Sequence, residues 1–267
     1  MPEPFRRRSV LAAAVALTLM AGAARAQDQA QDQAPVVAAA ADLQFAVEEI
    51  AARFSEETGM TVRLSLGSTG NFARQIREGA PFEMFMAADE QFILDLHRDG
   101  FTRDEGDLYA VGRIVVKVPE GSSLVADGTF GTLREALEAG RITRFAIANP
   151  EHAPYGQRAE EALRHAGLWD AIQPYLVLGE NVAQAAQFAL SGNAEGGIIA
   201  YSLALAPNVA AQGSHDLIPE EWHEPLRQRM VLLNGAGPVA EAFYDYIRSP
   251  SAREIMERYG FVLPDDG

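Results

Sequence analysis

Apolar and polar positions along this chain follow two periods, and the switches between them mark its elements. Residues 36–41 form an unbroken apolar run, the pattern of a strand buried on both faces. From Asp42 the period changes. Leu43, Ala46, Val47, Ile50, Ala51 and Phe54 recur at helical spacing, with Glu48, Glu49, Arg53, Glu56 and Glu57 on the other side. This predicts an amphipathic helix that stops at Gly59, with Asp42 where an N-cap belongs. The device recurs. Val62, Leu64 and Leu66 predict a strand, Gly67-Ser68-Thr69-Gly70-Asn71 a small polar turn, and Phe72, Ala73 and Ile76 a helix ending at Gly79. Residues 84–88 read as a buried strand, followed by Asp89 and a helix carrying Phe92, Ile93 and Leu96. Residues 111–118 read as one strong strand, and Thr132-x-x-Glu135 as a capping box opening a short helix. A strand over 145–148 leads through Asn149 to Gly156 into a helix from about 157 to 166. Further strands are predicted over 175–178, 197–200 and 230–233, and helices over 180–190, 238–248 and after a Ser251-x-x-Glu254 cap. Alternating β and α segments predict an α/β fold with parallel or mixed sheets covered by helices.

Four junctions join a strand end to a helix start: Ala41-Asp42, Ser68-Thr69-Gly70, Tyr155-Gly156 and Asn181-Val182. The first N–H groups of a helix have no intrahelical acceptor and lie at the positive end of its dipole, so such junctions suit anions. Open α/β sheets collect ligands beyond the carboxyl ends of their strands. Two facing sheets would bring all four junctions to one cleft. Each residue also has a plainer reading. Ser68, Thr69 and Asp42 serve equally as caps. Asn181 and Gln184 form an Asn/Gln capping pair, and Tyr155 is either a surface aromatic or a phenol donor. Asp42 in the cleft would repel a dianion unless it faced its own helix N–H groups, or would accept a bond from a protonated oxyanion.

The ends and the composition narrow the function. Residues 1–26 read as a secretory signal peptide: Arg6-Arg7-Arg8, a short apolar run, then Ala24-Arg25-Ala26. Residues 27–34 read as a disordered polar leader, and no later segment spans a bilayer. Losing four arginines and Glu3 with the signal takes the formal charge from −15 to −18. This excludes nucleic acid and anionic membrane surfaces as partners but not a small anion in a pocket of neutral donors. Cysteine is absent, so there is neither a disulfide framework nor a thiol nucleophile. The five histidines fall at no metal-ligand spacing, and His215-Asp216 with residues 220–224 reads as solvated surface. No Gly-x-Ser-x-Gly elbow or P-loop occurs, so catalysis has no positive signal.

Several segments in order carry a resemblance: Ala38-Ala39-Ala40-Ala41-Asp42-Leu43, Gly67 through Ile76, Gly79-Ala80-Pro81-Phe82, Ala87-Ala88-Asp89, Asn149 through Gly156, Ala242 through Tyr246, and Arg258-Tyr259-Gly260-Phe261. Over nearly the whole mature chain it resembles the periplasmic molybdate-binding proteins of ABC transporters, a type II solute-binding family. The resemblance implies a two-lobed Venus-flytrap fold, each lobe a mixed, mostly parallel sheet flanked by helices. One lobe would hold 35–112 plus 225–267 and the other 113–224. It implies capture of molybdate, and of tungstate, by neutral hydrogen bonds and its delivery to a membrane permease by a periplasmic, monomeric protein without cofactor or catalysis. Carried over by motif, the contacts are Asp42, Thr69, Tyr155 and Val182, followed by Ser68. Many members have Ser at the Asp42 position. Their fifth contact, a tyrosine hydroxyl, falls on Ala200 here, with Tyr201 one place later. Rival readings are a binding protein for a protonated tetrahedral anion such as phosphate, a periplasmic hydrolase, and a sensor domain of the same fold.

Overall fold

The computed structural model describes residues 34–264, so the signal-peptide reading and most of the leader lie outside the described residues. Ten strands, β1 (Val36–Ala40), β2 (Arg63–Gly67), β3 (Met84–Ala87), β4 (Asp107–Gly112), β5 (Ile114–Val118), β6 (Phe145–Ala148), β7 (Leu176–Gly179), β8 (Gly196–Ala200), β9 (Ser214–Leu217) and β10 (Leu226–Leu232), form two five-stranded sheets. Their orders are β2-β1-β3-β10-β4 and β7-β6-β8-β5-β9. In the first, β1 lies parallel to β2 and β3 while β10 runs antiparallel to β3 and β4. In the second, β6 lies parallel to β7 and β8 while β5 runs antiparallel to β8 and β9. Helices flank both sheets, giving a two-lobed molecule. Among the described residues no helix is long and apolar enough to cross a membrane.

The unbroken apolar run at β1 follows from cover on both faces. Side chains alternate along a strand. Val37 and Ala39 pack with Met84, Met86 and Met230 beneath helix Gln44–Thr58 and the C-terminal helices Pro238–Ile247 and Pro250–Arg258. Ala38 faces the other way, with Phe85, Ala87 and Val231 over Phe72, Ile76, Ile93 and Leu96 of helices Thr69–Arg77 and Glu90–Arg98. The second lobe has one core, built on β5, β6, β8 and the helices Pro154–His165 and Val182–Leu190, and it reaches across to Ala40, Ala41 and Ala88 of the first.

Four local expectations change. Residues 111–118 are two strands in different sheets, β4 and β5, separated by Arg113. Both halves are apolar, and nothing in a hydrophobic pattern distinguishes a chain that changes sheets from one that continues. His215 and Asp216 keep the surface position expected of them: they lie on the edge strand β9 paired with β5, Asp216 exposed and His215 half-buried. Thr132 and Glu135 do not form a capping box. Helix Gly131–Glu138 follows Phe130 in the left-handed region (φ 60°), and the Thr132 hydroxyl instead donates to the Val125 carbonyl (2.8 Å). Ser249, not Ser251, caps the last helix, accepting from the Ala252 N–H at 3.2 Å. The helix expected from about 157 begins at Pro154, the first-turn position where a missing N–H does no harm.

Phe54 is buried edge-on against Phe243 and Tyr246, with centroids at 5.2 and 5.3 Å. Phe54→Ala should lower unfolding stability by about 3–5 kcal/mol, from lost transfer energy plus a cavity. A urea titration reads this as a lower midpoint at unchanged slope.

Candidate functional site

The strand-to-helix junctions meet. One small cavity, with about 190 Å³ of empty space, is lined by Ala40-Ala41-Asp42 after β1, Gly67-Ser68-Thr69 after β2 and Ala88 after β3. From the second lobe come Ala153-Pro154-Tyr155 after β6 and Asn181-Val182 after β7. No lining residue is basic. Thr69 and Val182 are the first residues of their helices and Tyr155 the second, so their N–H groups have no helical acceptor. No other backbone carbonyl takes them among the described residues.

Each junction is held in place by its own side chains. Ser68 caps its helix, accepting from the Asn71 N–H at 3.3 Å, and its hydroxyl lies 3.0 Å from His152 Nδ1. The buried Thr69 hydroxyl accepts from the Ala88 N–H at 3.0 Å, tying the second junction to the end of β3. Asn181 accepts from the Gln184 N–H (3.0 Å) while the Gln184 side chain accepts from the Glu180 N–H (2.8 Å). That is the expected capping pair, closed reciprocally.

Asp42 is not an N-cap. A 3-10 turn, Ala41–Leu43, comes between β1 and helix Gln44–Thr58, and no side chain caps that helix. The Asp42 carboxylate instead accepts at Oδ2 from the Tyr155 hydroxyl (3.0 Å) and from Gln228 Nε2 (2.7 Å). Tyr109 donates to Gln228 Oε1 at 2.8 Å, which fixes the orientation of that amide. The Asp42 carboxylate is 1% exposed, and burial pushes its pKa up to about 6 from an ordinary 3.8, against the lowering effect of Gln228, Tyr155 and its own N–H. Tyr155 and Tyr109 are raised in turn, by burial and by the nearby carboxylate. Sequence reasoning missed Gln228 and Tyr109. The one hint was a polar glutamine inside an otherwise strand-like run.

Ala200 and Tyr201 do not reach the cavity. Ala200 ends β8 and is fully buried, while the Tyr201 N–H donates to the Arg113 carbonyl (2.9 Å) and its ring packs 5.7 Å from His215. The one-residue shift turns the tyrosine into the start of helix Tyr201–Leu205.

The cavity is closed by bonds between lobes. The Gly70 N–H donates to the His152 carbonyl (2.9 Å), the Ser202 hydroxyl to the Asp42 carbonyl (2.8 Å), and Asn71 to Glu180 (3.0 Å). The largely buried Arg158 reaches Asp89 at 3.1 Å. A second, wider groove runs between Gln44 and Phe45 of the first lobe and Gln187, Asn208 and Gln212 of the second. It carries no charged side chain.

The fold is shared. The sequence matches the bacterial extracellular solute-binding protein family over residues 35–262. The chain belongs to that family. Among similar solute-binding proteins, the molybdate-binding protein ModA of Rhodobacter capsulatus is 35% identical over 230 residues, covering 85% of this chain and 87% of that protein. ModA of Azotobacter vinelandii is 36% identical over 230 residues, covering 85% and 89%. The solved Azotobacter vinelandii periplasmic molybdate-binding protein superposes with a TM-score of 0.77 at 30% identity, covering 87% of this solute-binding protein and all (100%) of that chain. The Ser68–His152 contact resembles a nucleophile and base, but Ser68 is occupied as a cap and no carboxylate orients the ring among the described residues.

Because the pKa of Asp42 is raised on folding, its native form binds the proton more tightly than the unfolded chain. Its contribution is therefore intact at low pH and lost as pH rises from about 4 through about 6, a swing of about 3 kcal/mol. The stability of Asp42→Asn relative to the native chain should rise by about that amount between pH 4 and pH 7, read from urea midpoints at each pH.

Proposed function

We propose that this chain is the periplasmic binding component of an ABC transporter, capturing molybdate, and tungstate with it, and delivering the anion to a membrane permease. The observation that carries the reading is the convergence of helix-start N–H groups from both lobes on one cavity without a basic side chain. A fully desolvated oxyanion needs donors more than a counter-charge, and helix starts provide them with the dipole behind. Similarity to molybdate-binding proteins adds molybdate as the cargo. The contacts are the N–H groups of Asp42, Thr69, Tyr155 and Val182 with the hydroxyls of Thr69 and Ser68. The lobes are 35–112 plus 225–267 and 113–224. Residues 1–26 are a signal peptide removed on export. The protein acts as a monomer, binds no nucleic acid and turns nothing over. Selectivity against sulfate rests on cavity size, since both anions are tetrahedral and doubly charged.

A thermal-shift titration of the mature chain with molybdate, tungstate, sulfate, phosphate and chromate tests this. Anion at 100 times its Kd adds about 2.7 kcal/mol to stability, and only molybdate and tungstate should do so. A shift with phosphate alone would transfer the reading to a phosphate carrier.

Val182→Pro removes one N–H where proline is tolerated, at the first helical residue after an extended Asn181 (φ −147°, ψ 174°). The helix should persist while molybdate affinity falls about 10- to 100-fold, the worth of a hydrogen bond to a charged group. Gly70→Ala would place a methyl 2.7 Å from the His152 carbonyl oxygen. It should leave the circular dichroism unchanged but weaken molybdate binding at least tenfold, by obstructing closure.

A further inference from the structure

The Asp42 carboxyl is the feature of the cavity that the capture of a dianion leaves unexplained. It is buried, it lines the cavity, and it is the only carboxyl there among the described residues. Its two oxygens differ. Oδ2 faces two donors, the Tyr155 hydroxyl at 3.0 Å and Gln228 Nε2 at 2.7 Å, so it has no use for a hydrogen of its own. Oδ1 is shielded from solvent and has no hydrogen-bond partner among the described residues, with only its own backbone N–H turned to the group. A buried polar atom left without a partner is costly unless something absent completes it.

The groups facing this carboxyl are Tyr155 from helix Pro154–His165, Tyr109 from β4, Gln228 from β10, and Ser202 from helix Tyr201–Leu205 against its carbonyl. None is a cation. No positive charge among these groups offsets a negative Asp42, and a dianion in the cavity would oppose it further. Resting on the oxyanion reading above, we propose that the anion is bound together with a proton: Asp42 takes one proton from solvent as the lobes close, carries it on Oδ1, and donates that O–H to an oxygen of the bound anion. The step moves a single proton and makes no covalent bond to the anion. Closure triggers it, because Tyr155 and Ser202 come from the lobe opposite Asp42 and shut water out when they dock. Burial already raises this carboxyl to about 6 with the cavity as described, and an adjacent dianion raises it further. Where a serine would donate a hydroxyl at every pH, the carboxyl donates only when protonated, so capture is favoured in acid and release as pH rises.

Isothermal titration of the mature chain with molybdate, whose own protonation lies at more acidic pH, tests this in paired buffers of different ionisation enthalpy from pH 6 to 8.5. Close to one proton should be taken up per anion near pH 7–8, with Kd rising about tenfold per pH unit where the coupling is complete. Asp42→Asn, which presents an amide N–H in place of the O–H, should take up no proton, show a flat Kd, and bind at least tenfold more tightly than the native chain at pH 8. His152, across the cavity against Ser68, is common to both proteins and cancels in the comparison. Molybdate binding by the native chain with no proton uptake and a flat Kd would overturn the inference and leave the transport reading standing. Uptake persisting in Asp42→Asn would overturn it as well. No molybdate binding at any pH would remove the transport reading and this inference together.

Discussion

An anion taken out of water must be given back its hydrogen bonds, and a folded backbone has few to spare. Strand and helix interiors use their own N–H groups. Only the first turn of a helix leaves them free. The molecule is arranged around this constraint: β2, β6 and β7 point their carboxyl ends at one cavity, and the helices that follow them present unpaired N–H groups there. Side chains at the junctions mostly serve the backbone. Asn181, Gln184, Ser68 and Thr69 hold helix starts and strand ends in place, so the donors are pre-positioned rather than recruited.

The lobes must approach closely for this to work, and the sequence makes room where they touch. Gly70 brings its backbone against His152, and Gly112 lies where any side chain would strike the Tyr155 hydroxyl and the Gln228 amide. The bonds across the cleft are short polar contacts more than apolar surface, with Arg158–Asp89 the most buried ion pair among them. Such contacts exchange readily for water, which suits a molecule that has to open again. The apolar cores stay mostly within the lobes, with Ala40, Ala41, Ala88 and Leu226 of the first lobe joining the core of the second at the seam.

Much of this could be read from the chain. The all-apolar run 36–41 announced a strand covered on both faces, and the change of period at Asp42 marked the junction. The recurrence of small polar turns at Ser68-Thr69 and Asn181 marked two more. What stayed hidden depends on long-range partners. Gln228 lies 186 residues from the carboxylate it holds, and no local pattern ties the two. Asp42 matches an N-cap in every local respect, yet its carboxyl turns to the opposite lobe, because the 3-10 turn moves the cap position on to Leu43. The passage of the chain between sheets at Arg113 was invisible for a similar reason. Hydrophobic pattern records burial, not which sheet does the burying.

In the proposed function an oxyanion sits among the helix-start N–H groups between the lobes. Anomalous diffraction from crystals of the mature chain grown with molybdate tests it most directly, since molybdenum marks its own position. One strong peak should appear in the cavity, within hydrogen-bonding reach, through its oxygens, of the Thr69 and Val182 N–H groups and beside Asp42. A peak in the amide-lined groove near Gln44 and Gln212, or none between the lobes, would contradict it.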